Sequence, residues 1–346
     1  MHIPDGYLSP SSCATLYVFA SGGWYAAWKR IRGAVFTRII PLISVFGAFS
    51  FVLMMFNLPL PGGTTGHAVG VAIATLVLGP SGSILAISIA LAIQALFFGD
   101  GGITTLGANC FNMAIVGSLV AHWTYKLLSV FAKNKLDRQV TAAAIAGYVS
   151  INAAALATAI EFGLQPLLFH DANGMPLYAP YPLRIAVPAM MLGHLTFAGL
   201  AEAVITGGMV AFLQRSNTGL LLHQDLAEDR KFSVIPVRGL RKVWALIALL
   251  MILTPLGILA AGTAWGEWSV EQLAQHVTLR QGAPQGLRRL SSFWTAPFPD
   301  YAPAFVRSTS FGYILSAMFG VGLLFISYVV LSSRLRRESQ TTGRGK

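Results

Sequence analysis

Charge is what this sequence has least of. Only 11% of its 346 residues are Asp, Glu, Lys or Arg, where a soluble domain carries about a quarter. Cysteine is nearly absent: Cys13 and Cys110 are the only two, and both lie at the edges of apolar runs. That excludes a disulfide framework and a cysteine-based metal site. No His-Glu-x-x-His or Gly-x-Ser-x-Gly stretch is present, so neither a zincin nor a serine-elbow hydrolase fits. The glycine-rich "GPSGS" at 79–83 lacks the Gly-Lys-Ser/Thr of a phosphate-binding loop. The chain is therefore expected to be no enzyme and to hydrolyse no ATP itself.

What it has instead is apolar length. Hydrophobic residues make up 55% of the chain and the mean hydropathy is +0.64. Apolar runs at 12–28, 39–57, 68–79, 82–98, 109–131, 140–162, 184–213, 243–263 and 309–332 predict an all-α polytopic membrane protein of about nine transmembrane helices. "GPSGS" supplies the break between the third run and the fourth. The net charge of +11 forms no single patch, which argues against nucleic acid as a partner and leaves the lipid bilayer.

The basic residues sort by side. Nineteen of the 24 fall in four clusters: Lys29–Arg38, Lys126–Arg138, Arg215–Lys242 and the tail from Arg334 to Lys346. The other five are Arg184, Arg280, Arg288, Arg289 and Arg307. Basic residues mark cytoplasmic loops, so the reading puts the N-terminus outside and the C-terminus in the cytoplasm.

This topology gathers three short, glycine-rich stretches at the outer face: "MHIPDGYLSP" at 1–10, "LPLPGGTTGHAVG" at 58–70 and "GDGGITTLGANCFNM" at 99–113. A further outer segment, 163–183, holds His170 and Asp171. The first stretch has no basic lead and no cleavable apolar run, so Met1 is expected to keep its amine. That amine, the amide nitrogen of His2 and the His2 Nδ1 can chelate one metal in two fused rings. Three coplanar nitrogens favour tetragonal ions such as Ni(II) and Cu(II) over tetrahedral Zn(II). His67 can supply a fourth nitrogen, and Pro4, Asp5 and Gly6 form a turn that returns the chain to the protein. Thr64, Thr65 and Asn109 are candidates for hydrogen bonds around such a site. The plain alternatives stay open: a solvated His2, and a His67 that merely anchors its loop. Glu161, Glu202 and His194 lie in apolar runs, where ionisable groups either pair with a neighbouring helix or mark a transport path.

The quoted motifs resemble those of the NikM/CbiM family, the substrate-capture (S) components of energy-coupling-factor transporters for nickel and cobalt. "MHIPDGYLSP", "GTTGHAVG", "GGITTLGANCFNM" and "HLTFAGLAEAVITGGMVAFLQR" carry the resemblance over residues 1–215. It implies a metal site on Met1, His2 and His67, with Ni(II), or alternatively Co(II), as transported substrate and no organic cofactor. It also implies partners: a transmembrane coupling (T) subunit and two cytoplasmic ATPases, in the cytoplasmic membrane of a prokaryote. Residues 243–346 are similar to the accessory N component, fused here through a cytoplasmic linker at 216–242, although the usual Pro-Asp-Gly-Leu-Glu string is missing. The small-residue stretches "AAALATA" (153–159) and "GYILSAMFGVG" (312–322) suit close helix contact.

Overall fold

In the computed structural model the described residues are all but 32–35, 61–63, 132–135, 217–219, 222–236, 261, 277–281 and 344–346; the side chains of 36–38, 64, 237–239, 276 and 331–343 are likewise outside the description. The chain is helical almost throughout. It runs α1 Pro10–Ile31, α2 Phe36–Met54, α3 Val71–Ile93, α4 Leu106–Asn109, α5 Gly117–Ser129, α6 Leu136–Leu168, α7 Leu183–Gly193, α8 Gly199–Arg215 and α9 Val237–Leu253. Two short helices, α10 Val270–His276 and α11 Gln285–Leu290, precede the long α12 Thr309–Gly343. A small hairpin, β1 Leu58–Leu60 with β2 Thr64–Gly66, pairs Pro59 with Thr65 and leads into His67.

This is a multi-pass membrane protein. Five described helices are long and apolar enough to cross a bilayer: Val71–Phe98, Leu136–Leu168, Leu183–Arg215, Leu240–Leu259 and Thr309–Val330; Ile39–Met54 is apolar but shorter. Nine runs were expected. The third and fourth meet at Gly79, whose φ of 73° and ψ of 167° break the helix just before Pro80, at the expected turn. The outward faces are apolar, as lipid requires: Ile145, Val149, Leu156 and Ile160 line an exposed stripe of α6, at helical spacing.

Small residues draw the helices together. Ala143, Ala146, Gly147, Ala154 and Ala155 are buried along α6, and a Cβ on Gly147 would stand 3.0 Å from the Glu202 carbonyl of α8. On α12, Gly320 lies flush against the Phe51 ring of α2. Both small-residue stretches are thus used, at least in part, for contacts within this chain.

The basic helix ends share one end of the bundle: Lys126 and Arg30 both bear on His122, and Lys242 donates to the Ser216 carbonyl. Arg32, Lys133, Lys135, Arg230, Lys231, Arg280, Arg344 and Lys346 fall outside the described residues, as do the side chains of Arg38, Arg238, Arg334, Arg336 and Arg337 and most of the 216–242 linker.

The ionisable groups inside the bundle are braced. Asn112 donates to Glu161 at 2.8 Å and to Thr158 at 3.1 Å. His194 Nδ1 donates to the Met190 carbonyl at 2.9 Å. Glu202, fully buried, accepts the backbone N–H groups of Val69 at 2.7 Å and Gly70 at 2.9 Å. Those N–H groups open α3, whose first turn has no internal acceptor for them. A carboxyl on α8 therefore caps α3 and pins the loop that ends three residues after His67.

Glu202→Ala should leave two buried N–H groups unpaired, at a cost of about 2–4 kcal/mol. Amide hydrogen exchange at Val69 and Gly70 should then rise by about 30-fold or more. Exchange there at the wild-type rate would refute the cap.

Candidate metal centre

The nine residues before α1 have no helix or strand of their own, so groups from elsewhere must satisfy most of their backbone. Asn109, on α4, does this twice for Ile3: its Oδ1 accepts the Ile3 N–H at 2.8 Å and its Nδ2 donates to the Ile3 carbonyl at 3.1 Å. The Gly102 N–H donates to the same carbonyl at 2.9 Å. In return Asp5 accepts from the backbone of Thr104 at 2.7 Å and of Ile103 at 3.2 Å. This lacing needs glycine: a Cβ on Gly102 would lie 2.3 Å from the Asp5 nitrogen. The turn at Asp5–Gly6 is present too. Gly6 has φ 89°, and a Cβ there would meet the Leu287 carbonyl oxygen at 2.7 Å. The strand thus runs under α11, with Tyr7 accepting from Ala179 N–H at 3.0 Å.

Held this way, Met1, His2 and His67 are all buried, at 3%, 1% and 5% exposure. His2 Nδ1 and His67 Nε2 are 3.2 Å apart, and the ring centroids 4.9 Å apart. His67 Nδ1 lies 3.1 Å from the Ala68 carbonyl. A carbonyl only accepts, so Nδ1 carries the hydrogen and Nε2 presents a lone pair towards His2. Burial lowers the His2 imidazole to about 4 and puts that of His67 well below its ordinary value. Both rings are neutral at neutral pH, the form that binds metal.

Metal–nitrogen bonds of about 2.0 Å would place neighbouring nitrogens of a square plane about 2.8 Å apart. The observed 3.2 Å is within a few tenths of an ångström of that edge. The residues present therefore fit a cation held by nitrogen.

Two carboxylates that the sequence reading did not single out complete the surroundings. Asp100 Oδ1 lies 3.1 Å from His2 Nδ1. Its Oδ2 accepts from the Tyr301 hydroxyl at 2.6 Å and from Gln94 Nε2 at 3.2 Å, and burial raises its carboxyl above the usual range. Glu267 Oε1 accepts from the Met1 amine at 2.6 Å. His2, Asp100 and Glu267 form the one three-residue group of metal-ligating side chains found among the described residues. A lone acid inside "GTAWGEW" and another inside "GDGGITT" were the available signals. Neither has a spacing that names a partner about a hundred or more residues away.

Asp300 and Tyr301 both adopt left-handed backbone, with φ 53° and 58°, at a cost of about 1–3 kcal/mol each. Their strain is held by the Tyr301 ring, stacked on Phe98 at 4.7 Å, and by its bond to Asp100. Of the other sequence candidates, Thr65 is buried and lines a cavity beside His67. The Thr64 side chain falls outside the description. His170 sits in an exposed turn, bonded to its neighbour Asp171, and takes no part.

Two family models match the chain. The family model for the "cobalt uptake substrate-specific transmembrane region" matches residues 2–220, and that of the PDGLE domain matches 241–337. The latter holds although Tyr301, rather than glycine, follows Pro299 and Asp300. The chain is 50% identical to the fused nickel transport protein NikMN of Rhodobacter capsulatus, over 99% of this chain and 100% of that one. It is 40% identical to the probable fused nickel transport protein LarMN of Lactiplantibacillus plantarum, over 99% of both. A crystal structure described as a truncated transition metal transporter superposes with a TM-score of 0.59 at 51% identity, covering 62% of this chain and 99% of that one. With well over half its length matched by one family model, and with relatives alike from end to end, the chain belongs to the family of cobalt-uptake substrate-specific transmembrane regions, carrying a PDGLE domain behind it.

Proposed function

We propose that this protein is the metal-capture subunit of an importer for Ni(II), with Co(II) as the nearest alternative substrate. Its site is built from the Met1 amine, the His2 amide and imidazole nitrogens and His67 Nε2. The observation that carries the reading is the approach of His2 Nδ1 to His67 Nε2, 3.2 Å apart, beside the terminal amine. The full-length relatives are named for nickel transport, and the family for cobalt uptake.

On binding, the cation takes the place of the hydrogens now shared between these nitrogens and their neighbours. The chain's part is to exclude water, hold both imidazoles neutral and keep the first three residues in register through Asn109. Four nitrogens in a plane favour Ni(II) over Zn(II), and Cu(II) would bind tightly as well. Thr65 and Asn109 position rather than ligate. The site faces outside, and the clusters of lysine and arginine face the cytoplasm. The chain divides into a capture unit, 1–215, a cytoplasmic linker, 216–242, and an accessory unit, 243–346. Energy comes from two cytoplasmic ATPases acting through a transmembrane coupling subunit, as in an energy-coupling-factor transporter, in the cytoplasmic membrane.

A gradient-driven permease working through Glu161, Glu202 and Asn112 is the weaker reading. Each of these groups is engaged in bracing helices or the His67 loop. Uptake that continues without the ATPases would restore it.

Adding one residue before Met1 removes the amine from the chelate while leaving a foldable chain. Nickel uptake should fall to background with the protein still inserted; normal accumulation by that variant would refute the terminal chelate. His67→Ala should weaken Ni(II) binding to the purified protein by at least about tenfold, read by equilibrium dialysis. Unchanged affinity would remove His67 from the ligand set.

A further inference from the structure

The accessory unit does more than lie beside the capture unit. The segment between α9 and α12 crosses the outer end of the bundle and touches the terminal strand at both of its ends. Glu267 holds the Met1 amine at 2.6 Å. One residue on, the Trp268 carbonyl accepts from the Tyr7 hydroxyl at 2.7 Å. Gly266, at φ 83°, makes the reach possible, since a Cβ there would lie 2.6 Å from the Phe162 ring. Trp265 packs between that ring and Tyr181, with centroids 6.1 and 4.7 Å away. The Glu267 backbone is thus seated on the capture unit by an aromatic cluster, and its carboxylate is aimed at one atom.

Between the two units lies a cavity of about 240 Å³, walled by Thr65, His67 and Asp100 on one side and by Glu267, Asp300 and Tyr301 on the other. The cavity borders His67, so it is the space next to the nitrogen set, and its carboxylates suit a cation.

We propose that Glu267 is a positioning residue for the terminal amine. In the metal-free chain it keeps the amine beside His2 and His67. The cation that enters through this cavity takes the amine from it, so Glu267 sets how readily the site loads without becoming one of its ligands. This rests on the reading above, that the Met1 amine binds the metal.

Two measurements on the full-length protein test it. A water-soluble carbodiimide joins an amine to a carboxylate only where the two are in contact. Applied to metal-free protein, it should yield a Met1–Glu267 linked peptide by mass spectrometry, and saturating Ni(II) should cut that yield about tenfold. No such link in metal-free protein would overturn the proposal. A link formed equally with and without Ni(II) would overturn the amine's role as ligand, and with it the terminal chelate, while leaving the contact itself established.

The second measurement is Ni(II) titration followed by the visible absorption of the bound ion. Glu267→Ala should lower the apparent affinity or the loading rate about tenfold, the scale of a lost partner just outside a metal site. Glu267→Gln, whose amide oxygen can still accept from the amine, should recover most of it. The band of the fully loaded protein should stay where it is in both variants. A displaced band would make Glu267 a ligand, and wild-type loading by Glu267→Ala would make the contact incidental; either result refutes the proposal. Glu271→Ala, which removes an exposed carboxylate on the same segment that accepts from the Ser269 hydroxyl at 2.8 Å, should load as wild type does.

Discussion

The pair of hydrogen bonds between Asn109 and the backbone of Ile3 is the constraint on which the rest of the site depends. A chain end has the greatest freedom of any segment and ordinarily frays. Here one amide side chain takes both polar groups of the residue directly behind His2. The imidazole of His2 and the amine of Met1 then have only a few bonds left about which to move. Gly102 and Asp5 repeat the arrangement two residues further on, and Gly6 passes the strand beneath α11. The terminal segment is built as a loop whose hydrogen bonds come mostly from its surroundings, which is how irregular backbone survives near a membrane.

The opposite wall is set from within the bundle. Glu202 holds the start of α3, which begins four residues after His67, itself the residue that follows β2. Departures from regular helix cluster at this end: α3 continues into a π turn at Gln94–Phe98, α4 into one at Cys110–Val116 and α7 into one at His194–Ala198. Such turns swing side chains out of helical register and recur at functional sites. Here they lie beside Asp100, Asn109 and His194, three residues whose side chains reach backbone or imidazole atoms near the site.

Much of this was legible beforehand, and the reason is local chemistry. Apolar runs of bilayer length, the break at "GPSGS", the glycine-rich outer stretches and the Pro-Asp-Gly turn each depend on a few adjacent residues, so their meaning survives in one dimension. Met1, His2 and His67 could be grouped because a chelate's rings fix the first two and topology brings the third to the same face. Asp100 and Glu267 could not be grouped, since their partners lie 98 and 266 residues away and no spacing encodes either distance. The left-handed backbone at Asp300 and Tyr301 was equally hidden, because Asp tolerates it without requiring it and Tyr gives no sign of it. The helix break at "GPSGS" was readable for the same reason: Gly79 supplies a left-handed φ of 73° that no helix accommodates, and Pro80 follows it.

The contact between Met1 and Glu267 also has a meaning in time. It joins residues 266 positions apart, so ribosomal synthesis delivers one of them long before the other. The residues made first must wait, loosely placed, until most of the polypeptide has been inserted, and only then does a late-made segment close over them. A contact assembled in this order cannot form until synthesis has passed residue 267. Its completion reports that the outer segment of the accessory unit has been made.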